Sequence, residues 1–150
     1  MTVDDPVERL LAIEEIKQLK ARYFRCMDQQ RWDEMRTVFA VDAHLDTEGY
    51  TADGRDGIVT FLQHVLRGAR TVHHGHMPEI TVTSPTTAHG IWAMFDYVEF
   101  DPTDATDGAR QGLHGYGHYE EVYVFEDGAW RIANLLLTRL RVDPLPDLPG

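Results

Sequence analysis

Apolar residues recur every three or four positions over the first third of the chain. Leu10, Ile13, Ile16, Leu19, Tyr23 and Met27 fall at helical spacing, with Glu8, Glu14, Glu15, Lys17 and Arg22 on the polar side. Asp4 or Asp5 offers an N-cap and Pro6 suits a first turn, so the spacing predicts a helix over about 6–28. Asp28 to Arg31 breaks the pattern. Trp32, Met35, Val38 and Phe39 then predict a short helix over about 32–39. Residues 41–46 read as a loop leading into a short strand, and residues 51–57 carry turn chemistry. Ile58, Phe61, Leu62 and Val65 restore the helical period over about 56–67, and Gly68 supplies a stop.

Beyond Gly68 the period changes to two. Strands are expected over 79–83, 87–100, 112–125 and 129–141, with turns at Ser84-Pro85-Thr86 and Glu126-Asp127-Gly128. Residues 101–108 read as a polar, flexible loop, and the proline-rich residues 143–150 as an extended tail. Helices first and antiparallel strands after them make an α+β domain. The expected form is a cone: N-terminal helices packed on a curved, mostly antiparallel sheet that leaves a mouth open. A chain of 150 residues fits one domain, here 1–150 with its core at about 8–141.

Charge and cysteine content narrow the partners. A net charge of −11, from 25 acidic and 14 basic residues with no Lys/Arg cluster, argues against nucleic acid and anionic membranes. The single Cys26 excludes an internal disulfide and a cysteine-based zinc site. The acidic N-terminus lacks the basic segment of a signal peptide, and no apolar run approaches the ~18 residues that span a bilayer. These features predict a soluble, cytoplasmic protein.

The chemistry concentrates in one stretch. His73, His74 and His76 fall within four residues, just ahead of a segment where Gly90, Trp92, Met94, Asp96 and Val98 alternate on one face. Imidazoles beside an inward-pointing carboxylate suggest proton transfer. Asp96 among large apolar neighbours is costly unless paired or protonated; the alternative is a solvated face. Asp28 at the helix end can orient a histidine as a base dyad, or simply cap the next helix. Tyr23 on the apolar helix face can donate to a developing oxyanion, or serve as a core tyrosine bonded to backbone. Trp92, Met94, His118 and Tyr119, with His74, are candidates to line a substrate pocket. A His-x-His pair can chelate a metal, but His114 and His118 stand roughly 13 Å apart on one strand, too far to share one ion, and no metal is expected. No phosphate loop, Gly-x-Ser-x-Gly or Cys/His nucleophile pair occurs. Apolar residues on both strand faces, Val122 and Val124 against Tyr119, Tyr123 and Phe125, predict a homodimer through the sheet.

Several segments together resemble the SnoaL-like branch of the nuclear transport factor 2-like superfamily. They are residues 16–28, Trp32-Asp33, Val38-Phe39-Ala40 with Asp42-Ala43, Gly54-Arg55, and the His73-His74 element. Residues 117–120 and 127–132 complete the set, and the resemblance spans about residues 8–141. It implies the cone fold. Its dehydratases are similar in placing a Tyr five residues before an Asp at the end of the first helix, a His ahead of the sheet and an Asp on the following strand. Here these are Tyr23, Asp28, His73 and Asp96, with Thr71-x-His73 favouring His73 over His74 and His76. The resemblance implies a cofactor-independent lyase or isomerase acting on a hydrophobic, oxygenated small molecule, steroid-like or polyketide-like. A polyketide-type cyclase working by aldol chemistry, or a ligand-binding module without turnover, are the alternatives. A catalytic cone would bring Tyr23, Asp28 and a histidine together; an Asp28 facing solvent would favour the binding module.

Overall fold

In the computed structural model, which describes residues 5–104 and 111–146, Asp5 accepts from the Val7 N–H at 2.8 Å and Pro6 occupies the first turn. These start α1 (Pro6–Asp28), whose buried stripe is Ala12, Ile16, Leu19, Lys20, Tyr23, Cys26 and Met27. Leu10, expected in this stripe, is exposed. It precedes Ile16 by six residues and so lies about 120° round the helix. The helix closes with Arg31 N–H on Cys26 O at 2.8 Å and Gln30 N–H on Met27 O at 3.2 Å. This is a Schellman closure with Gln30, at φ 54°, where glycine is usual. The Gln30 amide then donates to Leu66 O and Ala69 O at 2.9 and 3.0 Å, tying the end of α1 to a later helix end.

The second helix is shorter than its pattern suggests. Only α2 (Trp32–Met35) forms, because Phe39 opens strand β1 (Phe39–Thr47) and pairs with Ile132 in a parallel ladder. The segment read as a loop is therefore mostly strand. β2 (Thr51–Asp53) folds back on β1, and Gly54, at φ 73°, precedes α3 (Arg55–Val65).

Four long strands follow: β3 (Arg70–Ser84), β4 (Thr87–Glu99), β5 (Gly112–Glu126) and β6 (Ala129–Pro144). With β1 and β2 they form one sheet in the order β2-β1-β6-β5-β4-β3, antiparallel at every pair except β1–β6, so it is mostly antiparallel, curved over the helices and open rather than closed into a barrel. Two boundaries differ from expectation. The first long strand begins at Arg70 rather than 79, so His73, His74 and His76 lie in a strand and not in an irregular lead-in. The strand β6 continues to Pro144 through pairing with β5. Part of the loop expected over 101–108 is a short 3-10 turn, Pro102–Asp104; its remainder, like the tail from 147, lies outside the described residues.

The core fills the concave side, where Tyr23 meets Phe39 and Tyr119 edge-on at 6.1 and 5.9 Å. Among the described residues no helix is long and apolar enough to cross a membrane.

Candidate active site

Alternation along β3 places His73 inside and His74 outside. The end of α1 delivers Asp28 to the inner side. One carboxylate oxygen accepts from His73 Nδ1 at 2.7 Å and from the Thr71 hydroxyl at 2.9 Å. The other accepts from the His73 backbone N–H at 2.9 Å. A carboxylate with such donors can only accept from the ring, so Nδ1 carries a proton, and the neutral tautomer with that bond has its lone pair at Nε2.

Opposite His73 in the β3–β4 ladder stands Asp96, only 2% exposed. Its Oδ2 lies 4.0 Å from His73 Nε2. Both Asp96 oxygens accept from Arg139 of β6, at 2.8 and 2.7 Å, in a bidentate pair. The guanidinium reaches β4 by crossing over β5, where Gly115 pairs with Asp96. A Cβ at Gly115 would collide with both the guanidinium and the Asp96 carboxylate. This is a position where absence of a side chain builds the site. The β1–β6 pairing runs to Thr47 and Leu137, and then the Glu48 carboxylate accepts the Arg139 backbone N–H at 2.6 Å, continuing the ladder. The carboxylate of Asp96 raises the Arg139 pKa further above its ordinary value.

Two phenols complete the arrangement. The Tyr23 and Tyr119 rings meet edge-on at 5.9 Å, and burial, reinforced in each case by neighbouring negative charge, pushes both pKa values well up. Both remain protonated at neutral pH and act as donors rather than bases.

His73, Asp96, Arg139, Tyr23 and Tyr119 line one cavity of about 150 Å³. Tyr50, Phe61, Leu66, Val98, Phe100 and Leu137 supply much of its apolar wall. A larger hollow of about 400 Å³ lies between α1 and the turn at Pro85-Thr86, but no histidine lines it and its titratable groups are the glutamates Glu8 and Glu15. The histidine and the buried aspartate border the smaller space.

Five of the nine candidates named from the sequence, Tyr23, Asp28, His73, Asp96 and Tyr119, gather here. The others go elsewhere. His74 is exposed and packs on Phe95 across the outer face, with ring centroids 6.2 Å apart. His118 pairs with Ala93 and Thr138 on that same outer face, one residue out of phase with Tyr119. Trp92 and Met94 are on the inner face but buried outside the cavity lining; the Trp92 indole N–H donates to Tyr123 OH at 2.8 Å. Among the described residues no three His, Cys, Asp or Glu side chains converge as metal ligands would.

Sequence reading missed Arg139 and Thr71 as site members. Arg139 had a signal: it follows Leu135 and Leu137 at period two, which puts a charge on a buried face. Thr71 had none beyond its place two residues before His73.

Residues 8–135 match the family model described as a SnoaL-like domain. Among solved structures, a type 2 hexachlorocyclohexane dehydrochlorinase (LinA) superposes with a TM-score of 0.83 at 20% identity, covering 96% of this chain and 95% of that one. A Novosphingobium aromaticivorans protein described provisionally as a scytalone dehydratase gives 0.81 at 21% identity, over 93% and 91% of the two chains. A Mycobacterium tuberculosis protein of unknown function gives 0.74 at 27% identity, over 91% and 77%. At these identities the likeness is one of fold.

Proposed function

The chain belongs to the SnoaL-like domain family, and from that premise we propose that it is a cofactor-independent acid–base enzyme of the dehydratase or isomerase type. The observation that carries the reading is His73 held between Asp28 at Nδ1 and Asp96 beside Nε2, with the imidazole on an otherwise largely apolar cavity. In this scheme Nε2 removes a C–H proton next to a carbonyl. The imidazolium that forms is stabilised by Asp28 on one side and by Asp96 on the other. Tyr23, kept protonated by burial, donates to the enolate oxygen. For elimination the C–H electron pair becomes the new double bond, the imidazolium returns its proton to the departing hydroxyl, and water leaves. Delivery of the proton to a different carbon gives isomerisation by the same groups. With both oxygens engaged by Arg139, Asp96 works as a carboxylate that steadies His73, not as the group that returns the proton.

The substrate in this reading is hydrophobic and oxygenated, because the cavity wall is largely apolar and its Arg139 is already paired with Asp96. A cavity of about 150 Å³ is below the roughly 300–1,000 Å³ typical of drug-sized sites. That favours a compact polyketide-like compound of one or two rings over a four-ring steroid. Assembly as a homodimer through the sheet belongs to the same proposal. The outer face exposes Val72, Ile91 and Tyr116 beside Phe95. A sedimenting species near 17.2 kDa at micromolar concentration would remove the dimer.

The test of the activity is incubation with one- and two-ring β-hydroxyketones in deuterated water, followed by NMR. Deuterium at the carbon next to the carbonyl, or loss of water, is expected with the native protein and not with Asp28→Asn. Equal rates in the two would sink the proposal in favour of a binding module.

A further inference from the structure

Next to the site lies a second buried polar group that the proton-transfer scheme does not use. The side chains of Lys20 on α1 and Glu121 on β5 are fully buried, and the ammonium pairs directly with Glu121 Oε1. The other Glu121 oxygen accepts from Tyr123 OH at 2.5 Å, and that hydroxyl accepts from Trp92 at 2.8 Å. On its other contacts the Lys20 ammonium lies against aromatic rings. It is 3.6 Å from the ring centroid of Tyr119 and 3.9 Å from that of Tyr23, with Phe24 at 4.9 Å.

A buried ion pair is weak support for a fold. Packed apolar side chains of similar volume often serve equally well or better, and Lys20 sits in a stripe with Ile16, Leu19 and Met27 where such a replacement is natural. What an apolar side chain would not supply is a positive charge on the faces of two phenols. A cation there attracts the ring electrons and makes the hydroxyl a stronger donor. Because the ammonium lies over the Tyr23 ring as well as over Tyr119 packed edge-on against it, the effect reaches the Tyr23 hydroxyl directly.

We infer that Lys20, clamped by Glu121, is a positioning residue that acts through the Tyr119–Tyr23 pair, tuning it as a donor for an oxyanion formed in the cavity. This rests on the reading of Tyr23 as the enolate donor. It adds that the cavity prefers a single-ring oxyanion over its neutral isostere, and that Lys20 sets much of that preference. The groups facing the ammonium are Glu121, Tyr23, Tyr119 and Phe24, with Tyr123 and Trp92 one bond further along. The three phenols are all pushed well above their ordinary range. Lys20 itself is pushed down to about 8 by burial, so of these groups it is the one that changes charge in mildly alkaline solution.

The probe is 4-nitrophenol, whose phenolate is read from its visible absorption, with 4-nitrotoluene as the neutral control. Native protein is expected to bind the phenolate in preference to the neutral ring. Tyr23→Phe should abolish the preference. Lys20→Met/Glu121→Gln, which removes both charges and strands neither, should lower phenolate affinity about tenfold and leave 4-nitrotoluene unchanged. In native protein the phenolate affinity should fall as pH rises through 8 while nitrotoluene binding stays flat; this second measurement needs no variant to fold. Should the double variant, with native circular dichroism, bind phenolate like native protein, or should the native affinity stay flat from pH 7 to 10, the Lys20 inference fails and the role of Tyr23 stands. Absence of any phenolate preference in native protein, or indifference to Tyr23→Phe, overturns the oxyanion reading of the site and the Lys20 inference with it.

Discussion

His73 and His74 are adjacent in sequence and opposite in circumstance. His73 is buried on the inner face, bonded to Asp28 and 4.0 Å from Asp96; His74 is exposed on the outer face against Phe95. The same contrast repeats on β6. Arg139 is half-buried in a bidentate pair with Asp96, whereas Arg141 is exposed and pairs with Asp143 at 2.8 Å. It repeats again on β5, where Tyr119 lines the cavity and His118 does not. One face of the sheet is covered by α1 and α3 and loses its water; the other is not covered. Identical chemical groups therefore have different consequences one or two residues apart, because dielectric and partner change together.

The contrast is sharpest between the two arginines. Arg139→Leu should lower stability by about 3–5 kcal/mol, since it leaves the Asp96 carboxylate buried without its partner. Arg141→Leu should stay within about 1 kcal/mol. Urea unfolding midpoints compare them directly, and equal losses would mean that the Asp96 pair is solvated after all. Gly115→Ala should resemble Arg139→Leu, because the added Cβ occupies the space through which the guanidinium passes.

The histidines come next. Asp28→Asn and His73→Ala should each reduce turnover by about 10²-fold or more, the scale of general-base catalysis. The double variant should lose no more than either alone, since one dyad is removed either way. His74→Ala and His76→Ala should leave turnover near native. Kinetics on any substrate found by the deuterium experiment decides this, and loss of turnover in His74→Ala with retention in His73→Ala would reverse the assignment of the two faces.

Tyr23→Phe should reduce kcat by about tenfold, because it deletes one hydrogen bond of roughly 1–2 kcal/mol and keeps the ring. His118→Gln, on the outer face beside Tyr119, should change neither kcat nor KM. A marked rise in KM for His118→Gln would bring a substrate to the outer face and dissolve the distinction.

Period was enough to foresee much of the architecture. Six residues at helical spacing located α1 to its ends, and alternation located β4, β5 and most of β6, because burial of one face selects those periods whatever the neighbours are. Tyr23, Asp28, His73 and Asp96 could be named as candidates too: a tyrosine on an apolar stripe, a carboxylate at a helix end, a histidine favoured by the family resemblance and an aspartate in phase with apolar residues. Tertiary structure decided the rest. Whether 70–78 is strand depended on β4 being long enough to pair with it, and whether 36–39 stays helical depended on β6 offering Phe39 a ladder. Phase against a partner strand separated His73 from His74 and Tyr119 from His118. The charges that complete the interior, Arg139 on Asp96 and Lys20 on Glu121, join residues 43 and 101 positions apart. No local spacing encodes such a meeting. Each of these charges looks misplaced on its own apolar stripe until the fold brings its partner alongside, and only then does burial turn from a penalty into a site.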